Sequence, residues 1–223
     1  MVLKAVLFDH DGTLVDSEGV HYQMWLEILK PYGVSISAEQ YMQIYSGMPT
    51  SDNARDLIER FKLPVSIDDL VTQKLDYAHA YLKQHAFPLM PDAQAILDYF
   101  KQQPSIQQAI VTGAGTQIVN ATVRAHQLKD YFTTIVSYDD VEHSKPAPDC
   151  YLLAQERLGL KASECIAIED TEHGVAAAVA AGVACIAIPN AQSQQHDFSK
   201  AIAVLHNLAA AQAWIQERYQ LPA

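Results

Sequence analysis

The sequence predicts an α/β protein, a doubly wound parallel sheet carrying an inserted α-helical domain. Three observations predict it. The run Leu3 to Phe8, apolar but for Lys4, reads as a buried strand and ends in two carboxylates, Asp9 and Asp11, followed by Gly12. From Pro91 onward, short apolar runs alternate with helical patterns, which requires crossover connections and parallel pairing. Between Leu14 and His85 no strand pattern occurs, so roughly seventy residues of helix interrupt that alternation.

In order along the chain, the first strand is buried on both faces and has no solvated side for acids. Asp9 and Asp11 therefore stand just past its carboxyl end, where open α/β sheets place their ligands. Gly12 allows the backbone to turn closely around whatever is bound there. Asp16 and Ser17 are good N-cap residues, and Glu18 to Lys30 carries Val20, Trp25, Leu26, Ile28 and Leu29 at helical period until Pro31 and Gly33 stop it. Ser37 caps a helix from Ala38 to about Tyr45, the break Ser46-Gly47-Met48-Pro49-Thr50 follows, and helices resume over 51–61 and 67–84. This places a helical domain at 16–85 and the sheet domain at 1–15 and 86–223.

In the second half, Ala93 to Gln103 is helical, Ala109 to Thr112 a strand, Gly113-Ala114-Gly115 a turn and Thr116 to His126 a helix. Strand 134–137 precedes a long loop holding Ser144-Lys145-Pro146, then helix 148–158. Cys165 to Ile168 is a strand ending in Glu169-Asp170. Helix 172–181 stops at Gly182, a good C′ residue, and its alanines suit tight packing on a sheet. Strands 183–188 and 201–205 and a helix over 208–218 complete the pattern.

Composition bounds the function. The 223 residues are 49% hydrophobic and 18% charged, an ordinary globular balance. The net charge of −11, from 15 basic and 26 acidic residues, argues against a nucleic-acid or anionic-membrane partner. Cys150, Cys165 and Cys185 are odd in number and lack a Cys-x-x-Cys spacing, so buried, reduced thiols are expected. With no signal-peptide pattern and no apolar run near ~18 residues, a cytoplasmic protein is expected.

The strand ends of a parallel sheet share one edge, and four of them here carry chemistry: Asp9 and Asp11; Thr112 and Gly113; Lys145 on the loop after the third strand; Glu169 and Asp170. Crowded carboxylates raise one another's pKa unless a counter-charge is present. Mg2+ suits such a set, since it takes one or two carboxylates, keeps waters and shares its remaining positions with phosphate. Glu169 and Asp170 could instead cap the following helix, as could Thr171.

These residues resemble the motifs of the haloacid dehalogenase superfamily, in the phosphatase and β-phosphoglucomutase-like branch with a small helical cap. The first motif reads Asp9-His10-Asp11-Gly12-Thr13, the second Thr112, the third Lys145 and the fourth Glu169-Asp170. The resemblance implies a Rossmann-like core of five or six parallel strands, bound Mg2+, a cap that closes over the substrate and a monomer. It implies Asp9 as nucleophile and Asp11 as acid/base, with a carboxyl pKa above the usual ~3.9. It assigns Mg2+ to Asp9, the Asp11 carbonyl, Asp170 and Glu169, and phosphoryl binding to Thr112, Gly113 and Lys145. On the cap, His21, Gly47 and Thr50 match substrate-contact positions. Lys74 is a weak substrate-contact candidate that reads first as a solvated helix residue, and His10, usually apolar or aromatic in the family, is expected to point elsewhere.

The implied activity is hydrolysis of a small phosphomonoester such as a sugar phosphate. The mutase alternative is weakened because Thr50 and Gly115 stand where mutases carry cations, each worth ~1.5–3 kcal/mol toward phosphate. A receiver-type signalling domain shares the Asp, Thr and Lys, but such domains have about half this length and place the phosphorylated Asp on a later strand. A non-catalytic phosphate-binding protein on the same scaffold is disfavoured because no motif residue is substituted.

Overall fold

A computed structural model describes residues 2–46, 48 and 50–219. The chain separates into two compact units, Met1–Asp16 with Pro88–Ala223, and Ser17–Phe87.

The first unit is built on β1 (Ala5–Phe8), β2 (Gln107–Val111), β3 (Thr134–Val136), β4 (Cys165–Glu169), β5 (Ala184–Ala187) and β6 (Ala203–Val204). Among the described residues these form one parallel sheet in the order β3-β2-β1-β4-β5-β6. The apolar strands sit centrally because both faces are covered. Ala5 and Leu7 of β1 pack in one buried cluster with Tyr151 and Ala154 of α7 (Asp149–Leu158) and with Val175, Ala177 and Ala178 of α8 (Glu172–Ala180). Val6 and Phe8 alternate to the opposite face, where Phe8 meets Phe100 of α5 (Ala93–Lys101) at 6.5 Å between ring centroids. The helices α6 (Thr116–Ala125) and α9 (Leu208–Arg218) complete the unit among the described residues.

Register decides the site. Phe8 is paired with both Ile110 and Ile168, so the chain leaves β1 at Asp9 level with the ends of β2 and β4. The fourth strand runs one residue further than its apolar pattern suggests. Glu169 pairs with Ala187, and its carbonyl accepts the Ile188 N–H at 2.6 Å. An acid is thereby fixed on a buried strand rather than on a loop.

The Ser17–Phe87 unit contains α1 (Ser17–Leu29), α2 (Ala38–Gln40), α3 (Thr50–Phe61) and α4 (Ile67–Gln84). Its own core gathers Trp25, Ile28, Leu29, Tyr41, Tyr45, Ala54, Leu57 and Leu70. A reciprocal Ser37–Gln40 capping box starts α2. The helix expected to run regularly to Tyr45 instead becomes a π-turn over Tyr41–Tyr45, closed by Ser46 N–H donating to the Tyr41 carbonyl at 3.0 Å. The wider turn lets Tyr41 and Tyr45 both bury against that core. No helix among the described residues is long and apolar enough to cross a membrane. All three cysteines are buried free thiols, as expected.

Candidate active site

The strand ends converge on one buried cluster in the sheet unit. Asp9, Glu169 and Asp170 each present a carboxylate oxygen within 4.8 Å of the others. Into it reaches Lys145, whose ammonium donates to Asp9 Oδ1 at 2.5 Å, to Glu169 Oε1 at 2.6 Å and to the Val111 carbonyl at 2.9 Å. An ammonium has three protons, and these three acceptors account for all of them.

Further side chains fix the acids. The Tyr151 hydroxyl on α7 donates to Glu169 Oε1 at 2.7 Å, and Asn190 Nδ2, on the loop after β5, donates to Asp170 Oδ2 at 2.7 Å. Asn190 is held in turn, its Oδ1 accepting the Gln192 N–H at 2.9 Å. Thr171 accepts the Gly174 N–H at 3.1 Å and is the N-cap of α8. Glu169 and Asp170 are therefore released from capping and point into the cluster.

Two glycines make room. A Cβ on Gly12 would lie 2.2 Å from Asp170 Oδ2, and its φ of +80° already excludes most side chains. A Cβ on Gly174 would lie 1.9 Å from Glu169 Oε2.

The electrostatics follow from burial. Burial pushes the Asp9 carboxyl up, with the Lys145 ammonium pulling in the other direction. Glu169 is raised to about 7, first by burial and partly offset by Lys145. Asp170 stands well above the usual carboxylate range through burial and then through repulsion from Asp9 and Glu169. Burial opposes the Lys145 charge, but Asp9 and Glu169 outweigh it and hold the ammonium above the ordinary lysine value.

One ammonium thus faces three buried carboxylates, and Glu169 Oε2 is buried without a hydrogen-bond partner. A hard oxygen donor set, short of positive charge and with an orphaned carboxylate oxygen, fits a divalent cation of the Mg2+ type.

The other expected residues divide clearly. Thr112 and Gly113 follow β2 at the same edge, and Thr112, buried, accepts the Ala114 N–H at 2.9 Å through its Oγ1. The Asp11 carboxylate is not a member of the acidic cluster; its Oδ2 lies 3.0 Å from His10 Nδ1. His10 was expected to point elsewhere, and it does turn into the interior, yet it contacts the very acid beside it. His21 and Thr50 belong to the helical unit, on α1 and at the start of α3, and Gly47 lies outside the described residues.

Lys74 corrects the expectation of a solvated residue. It is buried, 3.1 Å from His21 Nδ1 and 5.8 Å from the Trp25 ring centroid, and burial lowers its pKa to about 8.

Sequence reasoning missed Tyr151, Asn190 and Gly174. Only Gly174 left a signal: a glycine inside a helix costs about 1 kcal/mol and calls for a packing reason. The reason is the Glu169 side chain.

A family profile described as haloacid dehalogenase-like hydrolase matches residues 6–188. The fructose-1-phosphate phosphatase YqaB of Escherichia coli K12 is 33% identical over 178 residues, covering 80% of this chain and 92% of that protein. A probable pseudouridine-5'-phosphatase of Drosophila melanogaster is 31% identical over 223 residues, covering 97% of this chain and 94% of its own length. Among solved structures, CbbY from Rhodobacter sphaeroides in complex with phosphate superimposes with a TM-score of 0.70 at 26% identity, covering 93% of this chain and 98% of that one. With that profile matched over residues 6–188, most of the chain, this chain belongs to the haloacid dehalogenase-like hydrolases.

Proposed function

We propose that the protein is a phosphatase that hydrolyses a small phosphomonoester of the sugar-phosphate class through a phosphorylated Asp9. The observation that carries this reading is the Asp9 carboxylate, buried at the carboxyl end of β1, gripped by Lys145 and grouped with Glu169 and Asp170. The names of the relatives, a fructose-1-phosphate phosphatase in Escherichia coli and a probable pseudouridine-5'-phosphatase in Drosophila, support the choice of substrate class.

In the first step an Asp9 oxygen attacks phosphorus, the bond to the ester oxygen breaks, and Asp11 gives that oxygen its proton. In the second, water attacks the phosphorus of the acyl phosphate while the Asp11 carboxylate takes its proton. The Asp9 oxygen leaves as carboxylate, and inorganic phosphate is released. Lys145 orients Asp9 before attack and, exchanging its bond to that carboxylate for one to the phosphoryl group, joins Thr112 and the amides around Gly113 in binding the phosphoryl oxygens as their charge develops. Asp9, the Asp11 carbonyl, Glu169 and Asp170 are the proposed holders of Mg2+, which when bound offsets the charge of the phosphoryl group. His21, Gly47 and Thr50 are the proposed specificity residues of the helical unit.

The test is phosphate release with Mg2+ over a panel of hexose phosphates, 2-phosphoglycolate and nucleotides. Wild-type turnover that Asp9→Asn abolishes is expected. Turnover that survives Asp9→Asn refutes the nucleophile. Conversion of β-glucose 1-phosphate to glucose 6-phosphate, given a bisphosphate primer and without net phosphate release, refutes the phosphatase reading in favour of a mutase.

A further inference from the structure

The residue between the two aspartates is a fully buried histidine with both ring nitrogens engaged. His10 Nδ1 lies 3.0 Å from Asp11 Oδ2, and its Nε2 lies 3.0 Å from the Thr122 hydroxyl on α6. Thr122 is itself buried. An apolar side chain would fill such a position without the cost of desolvating two nitrogens. While Asp11 is a carboxylate it only accepts hydrogen bonds, so in that state His10 Nδ1 carries the proton between them.

We propose that His10 is a positioning residue: pinned by Thr122, it fixes the orientation from which the Asp11 carboxyl exchanges protons with leaving group and water. The chain of contacts ties the acid/base to the body of α6 rather than leaving it on the turn at Gly12. This deepens the phosphatase reading and rests on it, since Asp11 has a proton to move only if that chemistry occurs.

The experiment compares an alkyl ester, fructose 1-phosphate, with an aryl ester, p-nitrophenyl phosphate. An alkoxide leaves only if Asp11 protonates it, whereas nitrophenolate leaves without that help. Replacing His10 by leucine removes a charge-assisted hydrogen bond, and a bond of that kind corresponds to about 10- to 100-fold in rate. That loss is expected in kcat/KM for fructose 1-phosphate, while kcat/KM for p-nitrophenyl phosphate stays within about threefold. The same variant releases a burst of nitrophenolate, because the second step still needs Asp11 as base.

His10→Asn, whose amide can replace the Nδ1 donor, restores most of the alkyl-ester rate. Thr122→Val shows the selective loss in weaker form, and Thr122→Ser does not. A merely structural histidine predicts equal losses on both esters, and that result overturns the proposal.

Nitrogen NMR of the unmodified protein supplies a test that needs no turnover. With Asp11 ionised, a proton on His10 Nδ1 is expected, and a bare Nδ1 under that condition overturns the assignment. If wild-type protein hydrolyses neither ester, the phosphatase reading fails, and the NMR result alone decides the His10 contact.

Discussion

Glu169 is the most constrained side chain of the cluster. One oxygen accepts from Lys145 and Tyr151, and the other is buried beside the backbone of Gly174. In an ordinary helix interior, glycine to alanine stabilises by up to ~1 kcal/mol. Here the added methyl would fall 1.9 Å from Glu169 Oε2, so the acid must move. Gly174→Ala should therefore destabilise the protein and weaken Mg2+ binding by about 10- to 100-fold. Thermal melts with and without Mg2+, and calorimetric titration, check both; a more stable variant with unchanged affinity would contradict the packing argument. Asn190→Ala should cost metal affinity with a smaller loss of stability, since it orients Asp170 without filling the core.

Among the helices, α8 and α4 carry separate tests. Thr171→Ala deletes the N-cap of α8 and should cost about 1 kcal/mol in urea unfolding, with Thr171→Ser close to wild type. In α4, Lys74 is buried and its pKa falls to about 8 in the folded state against about 10.4 in an unfolded chain. A lowered folded pKa means that the unfolded chain binds more protons between those values, so stability rises with pH across that window. Below pH 8 the full cost of burying the charge is present, on the order of 3 kcal/mol. Lys74→Met should be more stable than wild type at pH 7 by up to that amount, with the difference shrinking as pH rises toward 10. A pH-independent difference in denaturation midpoints would show that the buried Lys74 ammonium is not the source of the cost.

For the whole molecule, the sheet brings three buried acids to one edge against, among the described residues, a single ammonium, within a chain of net charge −11. A cation bound there stabilises the folded state by mass action, about 2.7 kcal/mol when its concentration is a hundred times its dissociation constant. Mg2+ should raise the melting temperature of wild type and leave that of Asp170→Asn unmoved; equal shifts in both would place the cation elsewhere. Much of this was legible in the chain alone. An apolar strand running into Asp9 and Asp11, Thr112 after a second strand, Lys145 after a third and Glu169-Asp170 closing a fourth are local patterns, and strand periodicity with parallel topology puts them on one edge. What happens beside that edge was not legible. Tyr151 and Asn190 reach the acids, and Thr122 reaches His10, from helices and loops with no sequence spacing to announce them, and His10 and Lys74 carry side chains that suit solvent as readily as an interior. Sequence determined which residues lie at the ends of the strands, because period and topology are properties of neighbours along the chain. Only the tertiary structure decided how their atoms are held, because burial and hydrogen-bond partners depend on segments a hundred residues apart, as the contact between His10 and Thr122 makes plain.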